Sequence, residues 1–107
     1  MLKVEIANTP SKHEKGLMFV ENLPQDEGML FIFQRPHKLA FWGRNTFIPL
    51  DIAFIDRHNK IQKISSIKPF DLSKVASDTD CVMALEVNAG YFQNQNIEVG
   101  YEINIDT

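Results

Sequence analysis

The densest grouping of chemically versatile side chains in this 107-residue chain is Phe41-Trp42-Gly43-Arg44-Asn45-Thr46, which holds the only tryptophan. An indole face beside a guanidinium, an amide and a hydroxyl is the equipment of a pocket for a polar small molecule. The same residues serve equally as a core tryptophan followed by turn residues that bond their own backbone. Asp51 lies in the apolar run Ile48–Asp56, on a face shared with Ala53 and Ile55. Glu86 lies in Cys81–Val87, beside Val82 and Ala84. A carboxylate in such a strand is partly buried, which disfavours its charged form unless hydrogen bonds or a cation restore it. Asp51 can therefore accept N–H groups of the Arg44–Thr46 turn or pair with a basic side chain. If instead it converges with Glu86, the two acids form an acid/base pair of the kind that hydrolyses glycosides. Met18 and Met29, in Gly16-Leu17-Met18 and Gly28-Met29-Leu30-Phe31, suit either the core or the wall of a permissive pocket.

Other chemistries lack their signatures. His13, His37 and His58 are far apart, with no H-x-H or H-E-x-x-H spacing, and receive no role. Cys81 has no C-x-x-C partner and reads as a small buried thiol; alone, it can form no internal disulfide. There is no G-x-S-x-G, P-loop or G-x-G-x-x-G, so neither a metal nor a cofactor is expected.

The elements that must position these residues are mostly strands. Leu2–Ala7 alternates with period two. A short helix follows, capped either by Thr9 ahead of Pro10 or by a Ser11/Glu14 capping box, and ended by Gly16. Met29–Phe33 and Leu39–Trp42 read as two strands separated by Arg35-Pro36. Ile48–Asp56 and Lys60–Ile67 form a hairpin across Arg57-His58-Asn59, with Asn59 able to take positive φ and the second strand bulged. Lys68–Asp80 reads as a mobile surface loop, Cys81–Val87 as a strand, Ala89–Gln95 as one helical turn, and Ile97–Ile105 as a closing strand. About seven short strands with one or two scraps of helix predict a mostly β fold. A small antiparallel barrel or sandwich, as a single domain over residues 1–107, fits that pattern.

Composition narrows the partners. With 44% hydrophobic and 23% charged residues the chain is ordinary globular material. Its net charge of −3 gives no reason to expect nucleic acid. The charge is uneven, +3 over residues 1–68 and −6 over residues 69–107. No apolar run reaches the length of a membrane span. Met1 leads directly into the first strand, so the expected location is cytoplasmic if Met1 is the native start, and exported if a signal segment was trimmed.

Several segments fall in one order: Thr9-Pro10, Gly16-Leu17-Met18, Gly28-Met29-Leu30-Phe31, Trp42-x-x-Asn45-Thr46, Pro49-Leu50-Asp51-Ile52-Ala53-Phe54-Ile55-Asp56, Leu85-Glu86, Ala89-Gly90 and Gly100. That order and spacing closely resemble the family called domain of unknown function 192, over essentially the whole chain. The W-x-x-N-T-x-x-P-L-D segment is its specific part. The resemblance implies a β-rich, barrel-like domain with a short helix and no established activity. The family's shared polar and aromatic positions correspond to Trp42, Asn45, Thr46, Asp51 and Glu86. Two departures stand out: Gly43-Arg44 replaces the usual Met-Lys, and Val20 stands where many members carry an arginine. If that arginine makes a contact, this chain has either lost the contact or replaced it, with Arg44 or Arg35 as the candidates. Many relatives also begin with an export or lipoprotein signal; such a segment is not expected here if Met1 is the native start.

Three functional classes follow. The first is a non-enzymatic module binding a small polar ligand, a saccharide being one candidate. Trp42 is then its platform, Arg44, Asn45, Thr46, Asp51 and Glu86 its polar contacts, and Met18 and Met29 its wall. The second is a hydrolase or transferase using Asp51 and Glu86. The third is a structural or interaction domain in which these residues only hold the fold. The sequence sets neither the ligand nor the oligomeric state.

Overall fold

Five of the six residues of β3 (Leu50–Ile55) are buried, Asp51 being the exception. A strand apolar on both faces needs cover on both, and β3 lies inside the sheet, between β4 (Ile61–Ile67) and β5 (Val75–Asn88). The computed structural model describes residues 2–105. Met1, on which the expectation about a leader rests, lies outside them. The described residues form one five-stranded sheet in the order β1-β2-β5-β3-β4, with β1 at Lys3–Ala7 and β2 at Glu27–Phe41. All neighbours pair antiparallel except β1 and β2, which run parallel. Phe31, Leu50, Ile52 and Phe54 pack on one face, and Leu30, Ala53, Ile55 and Val87 on the other.

The hairpin forms as expected. Asn59 takes φ 64°, and the Asp56 carboxylate accepts the His58 and Lys60 N–H groups at 2.8 and 3.1 Å. The bulge lies where Phe54 faces Lys63 but Ile55 faces Ile61. Of the two candidate caps, Thr9 prevails: its Oγ1 accepts the Lys12 N–H at 3.3 Å, with Pro10 opening α1 (Pro10–Lys15). Proline loses nothing there, because that N–H has no intrahelical partner anyway. The expected turn of helix is α2 (Tyr91–Asn94), which buries Phe92.

The barrel and the seven strands are not found. The sheet is open, with β1 and β4 at its edges. Met29–Phe33 and Leu39–Trp42 belong to the single strand β2, because the ladder tolerates Arg35-Pro36 as an irregularity between Ile32 and His37. Pro36, with no N–H to give, lies in the unpaired stretch. Ser77 of β5 repairs the ladder nearby by accepting the Leu39 N–H at 2.9 Å and donating to the Thr79 carbonyl at 2.6 Å. The loop expected over Lys68–Asp80 ends at Lys74, where β5 begins. Ile97–Ile105 is not a strand despite its alternation. Gly100 at φ 96° bends it, leaving one isolated bridge between Lys60 and Glu102. Its Ile97, Ile103 and Ile105 cover the second face instead. Among the described residues no helix is long and apolar enough to cross a membrane.

Candidate ligand-binding site

Glu86 sits on the central strand β5, flanked by Met29 of β2 and Ile52 of β3. Alternation along β5 turns its side chain to the Phe31 face of the sheet. It is 4% exposed, and no hydrogen bond to its carboxyl is found among the described residues. Burial alone pushes its pKa up from an ordinary 4.5 to about 8. No fully enclosed side-chain nitrogen or oxygen among the described residues lacks a partner. The unpartnered Glu86 oxygens are therefore not sealed in: they meet a cavity of about 280 Å³.

Three elements build that cavity around Glu86. The first is α1 with the Gly16-Leu17-Met18 turn, which lies across its top. Gly16 has φ 48°, and a Cβ there would stand 3.2 Å from the Phe31 ring and 3.8 Å from Glu86 Oε1. Only glycine allows so close a pass at that dihedral. His13 fastens the helix to the sheet. Its Nε2 lies 2.9 Å from both the Ala7 and the Ile32 carbonyl oxygens, so it carries a proton shared between two acceptors. Its ring stacks on Phe33 at 4.1 Å between centroids. The second element is the apolar face of β2, where Phe31 and Phe41 meet edge to face at 4.9 Å.

The third is the Trp42–Thr46 turn. Trp42 is 40% exposed rather than a core residue, and the Arg44 guanidinium stands 5.6 Å from its ring centroid, within cation–π range. Gly43 is clamped: its N–H donates to the Asp71 carbonyl at 2.7 Å and its own carbonyl accepts the Phe70 N–H at 2.8 Å. A Cβ at Gly43 would run into the Lys68 carbonyl. This turn packs backbone against backbone, which leaves no room for a side chain such as methionine at position 43. Thr46 is buried, donates its hydroxyl to the Arg44 carbonyl at 3.2 Å, and still borders the cavity.

Of the eight residues singled out in the sequence, Met18, Trp42, Arg44, Thr46 and Glu86 meet at this cavity, and Asn45, Asp51 and Met29 do not. Asn45 serves the backbone: at φ 53° it lets the turn close, and its carbonyl accepts the Phe19 N–H at 2.9 Å. Met29 is core, 5% exposed. Asp51 pairs with Val87 while Ile52 pairs with Glu86, so the two acids project from opposite faces of the sheet. The acid/base pair is not formed. Asp51 is half-buried, and its donors are neither the Arg44–Thr46 turn nor a basic side chain. They are the Ser66 hydroxyl at 2.9 Å and the Gly90 N–H at 2.8 Å. Val20 packs against the core, so of the two candidate replacement arginines only Arg44 reaches the cavity.

Two features escaped the sequence reading. One is His13, whose role depends on carbonyls six and nineteen residues away. The other is a row of exposed aromatics beside the turn: Phe19 to Phe47 at 5.9 Å and Phe47 to Phe70 at 5.6 Å. Phe19 and Phe70 both hold left-handed dihedrals, φ 65° and 63°, a rare state for bulky residues. No local motif announces either. Among the described residues no group of three His, Cys, Asp or Glu side chains is arranged to hold a metal ion.

Similarity to known proteins agrees with this architecture. A crystal structure of a candidate transcription regulator from Sinorhizobium meliloti 1021 superposes with a TM-score of 0.92 at 33% identity, over 94% of this chain and 79% of that one. A protein of unknown function from Novosphingobium aromaticivorans superposes with a TM-score of 0.94 at 32% identity, over 97% of this chain and 75% of that one. No curated protein matches the chain. The family profile of domain of unknown function 192, described as Uncharacterized ACR, matches residues 1–105. With the W-x-x-N-T-x-x-P-L-D segment shaping the turn at the cavity mouth, the chain belongs to that uncharacterised family.

Proposed function

We propose that the chain is a binding module for a small polar organic molecule, taken into the cavity between α1, β2 and the Trp42–Thr46 turn. One observation carries the reading: the Glu86 carboxyl is almost wholly buried, has no hydrogen-bond partner among the described residues, and borders an open cavity. A carboxyl held away from bulk solvent yet open to a cavity is a group that a ligand can bond. Trp42 supplies a flat apolar surface at the mouth, with Arg44 and the Thr46 hydroxyl as further polar contacts.

An enzymatic reading through Asp51 and Glu86 lacks its geometry. Binding nucleic acid, as the name of the Sinorhizobium meliloti relative suggests, draws no support from a net charge of −3. The test is a thermal-shift screen of small polar metabolites, with Trp42 emission as the second readout. A true ligand raises the melting temperature with the logarithm of its concentration above its Kd and shifts the emission of the indole. A screen in which no compound moves either signal would sink the reading.

A further inference from the structure

We infer that the ligand class is a small organic ammonium ion, held with its cationic nitrogen on Glu86 and its carbon atoms against the rings of Phe31, Phe33 and Phe41. The inference rests on the binding reading above and adds the charge of the ligand to it.

The argument starts from what faces Glu86. Its own strand and both neighbours offer it no charge: Met29 and Ile52 flank it. From α1 come His13, Glu14 and Lys15, and from the turn Arg44, all bordering the same cavity. None of them pairs with it. The proton of His13 is committed to two backbone carbonyls, and Arg44 stands over Trp42. Among the described residues the one ion pair is Lys63–Asp78, at 2.7 Å. Glu86 is thus a carboxyl that pairs with no cation among the described residues, in a cavity that Phe31, Phe33 and Phe41 border.

That combination matches one ligand chemistry best. Aromatic faces carry negative potential and attract ammonium groups, more strongly once water is excluded. A carboxylate at the floor adds a charge-assisted hydrogen bond or a Coulomb partner in a low-dielectric site. A neutral polyol would satisfy the carboxyl but gain nothing from the rings beyond stacking. An anion would meet the negative ring faces and could be bonded only by the neutral, protonated form of Glu86. The free protein holds Glu86 protonated near neutrality because burial penalises its charge. An arriving ammonium restores that charge and expels the proton.

The experiment uses choline, its uncharged carbon isostere 3,3-dimethyl-1-butanol, and glucose, each titrated into the intact chain by calorimetry between pH 6 and 9. Choline is expected to bind, and its affinity to rise about tenfold per pH unit up to about pH 8, levelling off above. Proton release, read from buffers of different ionisation enthalpy, should approach one per ligand at pH 6. The isostere should bind at least tenfold more weakly. Glu86→Gln should remove both the choline binding and the proton release while the chain stays folded. Two results overturn the inference and leave the binding reading intact: glucose binding where choline does not, or the isostere matching choline with no proton released. Choline affinity that falls as pH rises overturns it as well, without recourse to any variant.

Discussion

The Asp51 carboxylate accepts the Gly90 backbone N–H at 2.8 Å, tying the first turn of β3 to the residue that opens α2. Its other oxygen accepts the Ser66 hydroxyl from β4 at 2.9 Å. Asp51→Ala strands the half-buried Gly90 N–H and loosens the turn that buries Phe92, while the exposed Ser66 hydroxyl turns to water. The expected loss is about 1–3 kcal/mol, read as a lower denaturant midpoint at unchanged slope. Binding at the Glu86 cavity should be unaffected, because Asp51 faces away from it. A variant as stable as the parent would refute this anchoring role.

Glu86 gives stability a pH dependence of defined sign. Its folded-state pKa, raised by burial to about 8, lies above the ordinary 4.5 of the unfolded chain. Between these values the folded state binds more protons, so stability is fully present below pH 4.5 and is lost as pH rises through 8. The slope is about 1.4 kcal/mol per pH unit at most. Glu86→Gln should flatten the curve and stabilise the protein at pH 8 and above. Melts at pH 5.5 and above avoid Asp56. Burial raises its pKa, but hydrogen bonds from Lys60, His58 and Gln62 more than offset that, so its contribution is lost only in acid. Equal slopes for parent and variant would show that Glu86 is solvated.

Gly43→Ala tests the packing of the turn. The new methyl meets the Lys68 carbonyl, which is backbone and cannot swing aside. The expected cost is about 1–3 kcal/mol, the usual range for overpacking. The variant should also change the emission of Trp42, since displacing the turn moves the indole. Full stability with unaltered emission would mean that the turn gives way freely.

Phe70 provides the opposite case. It is 62% exposed at φ 63°, and the cost of that dihedral is offset by the ring contact with Phe47 and by the bond from its N–H to the Gly43 carbonyl, which any residue there would keep. Asparagine tolerates the left-handed region. Phe70→Asn should therefore leave stability unchanged or raise it by up to about 1 kcal/mol, measured by denaturant melts. A clear loss would show that the aromatic row is structural.

Trp42→Ala separates the pocket from the fold. The indole is 40% exposed and its ring meets Arg44 rather than the core. The substitution should cost about 1 kcal/mol or less in stability. It should weaken any ligand of the cavity at least tenfold. A large loss of stability would return Trp42 to the core.

Local chemistry made much of this chain readable from its sequence. The β3–β4 hairpin follows from period-two alternation on both sides of Arg57-His58-Asn59, and the cap at Thr9-Pro10 from the missing N–H of proline. The family follows from Trp42, Asn45, Thr46, Pro49, Leu50 and Asp51 at fixed spacing. These are short-range effects, set within a few residues. Strand count and closure were not readable. A proline inside β2 looks like a break until the partner strand supplies Ser77, and Ile97–Ile105 alternates like a strand until Gly100 turns it. The site divided in the same way. Asp51 and Glu86 carry identical signals, acids in apolar strands, but the register between β3 and β5 sends them to opposite faces. Only the fold gave one carboxylate its hydrogen-bond donors and left the other facing a cavity with no partner among the described residues. Pairing between distant strands decides which face a residue joins, and one step of register reverses it.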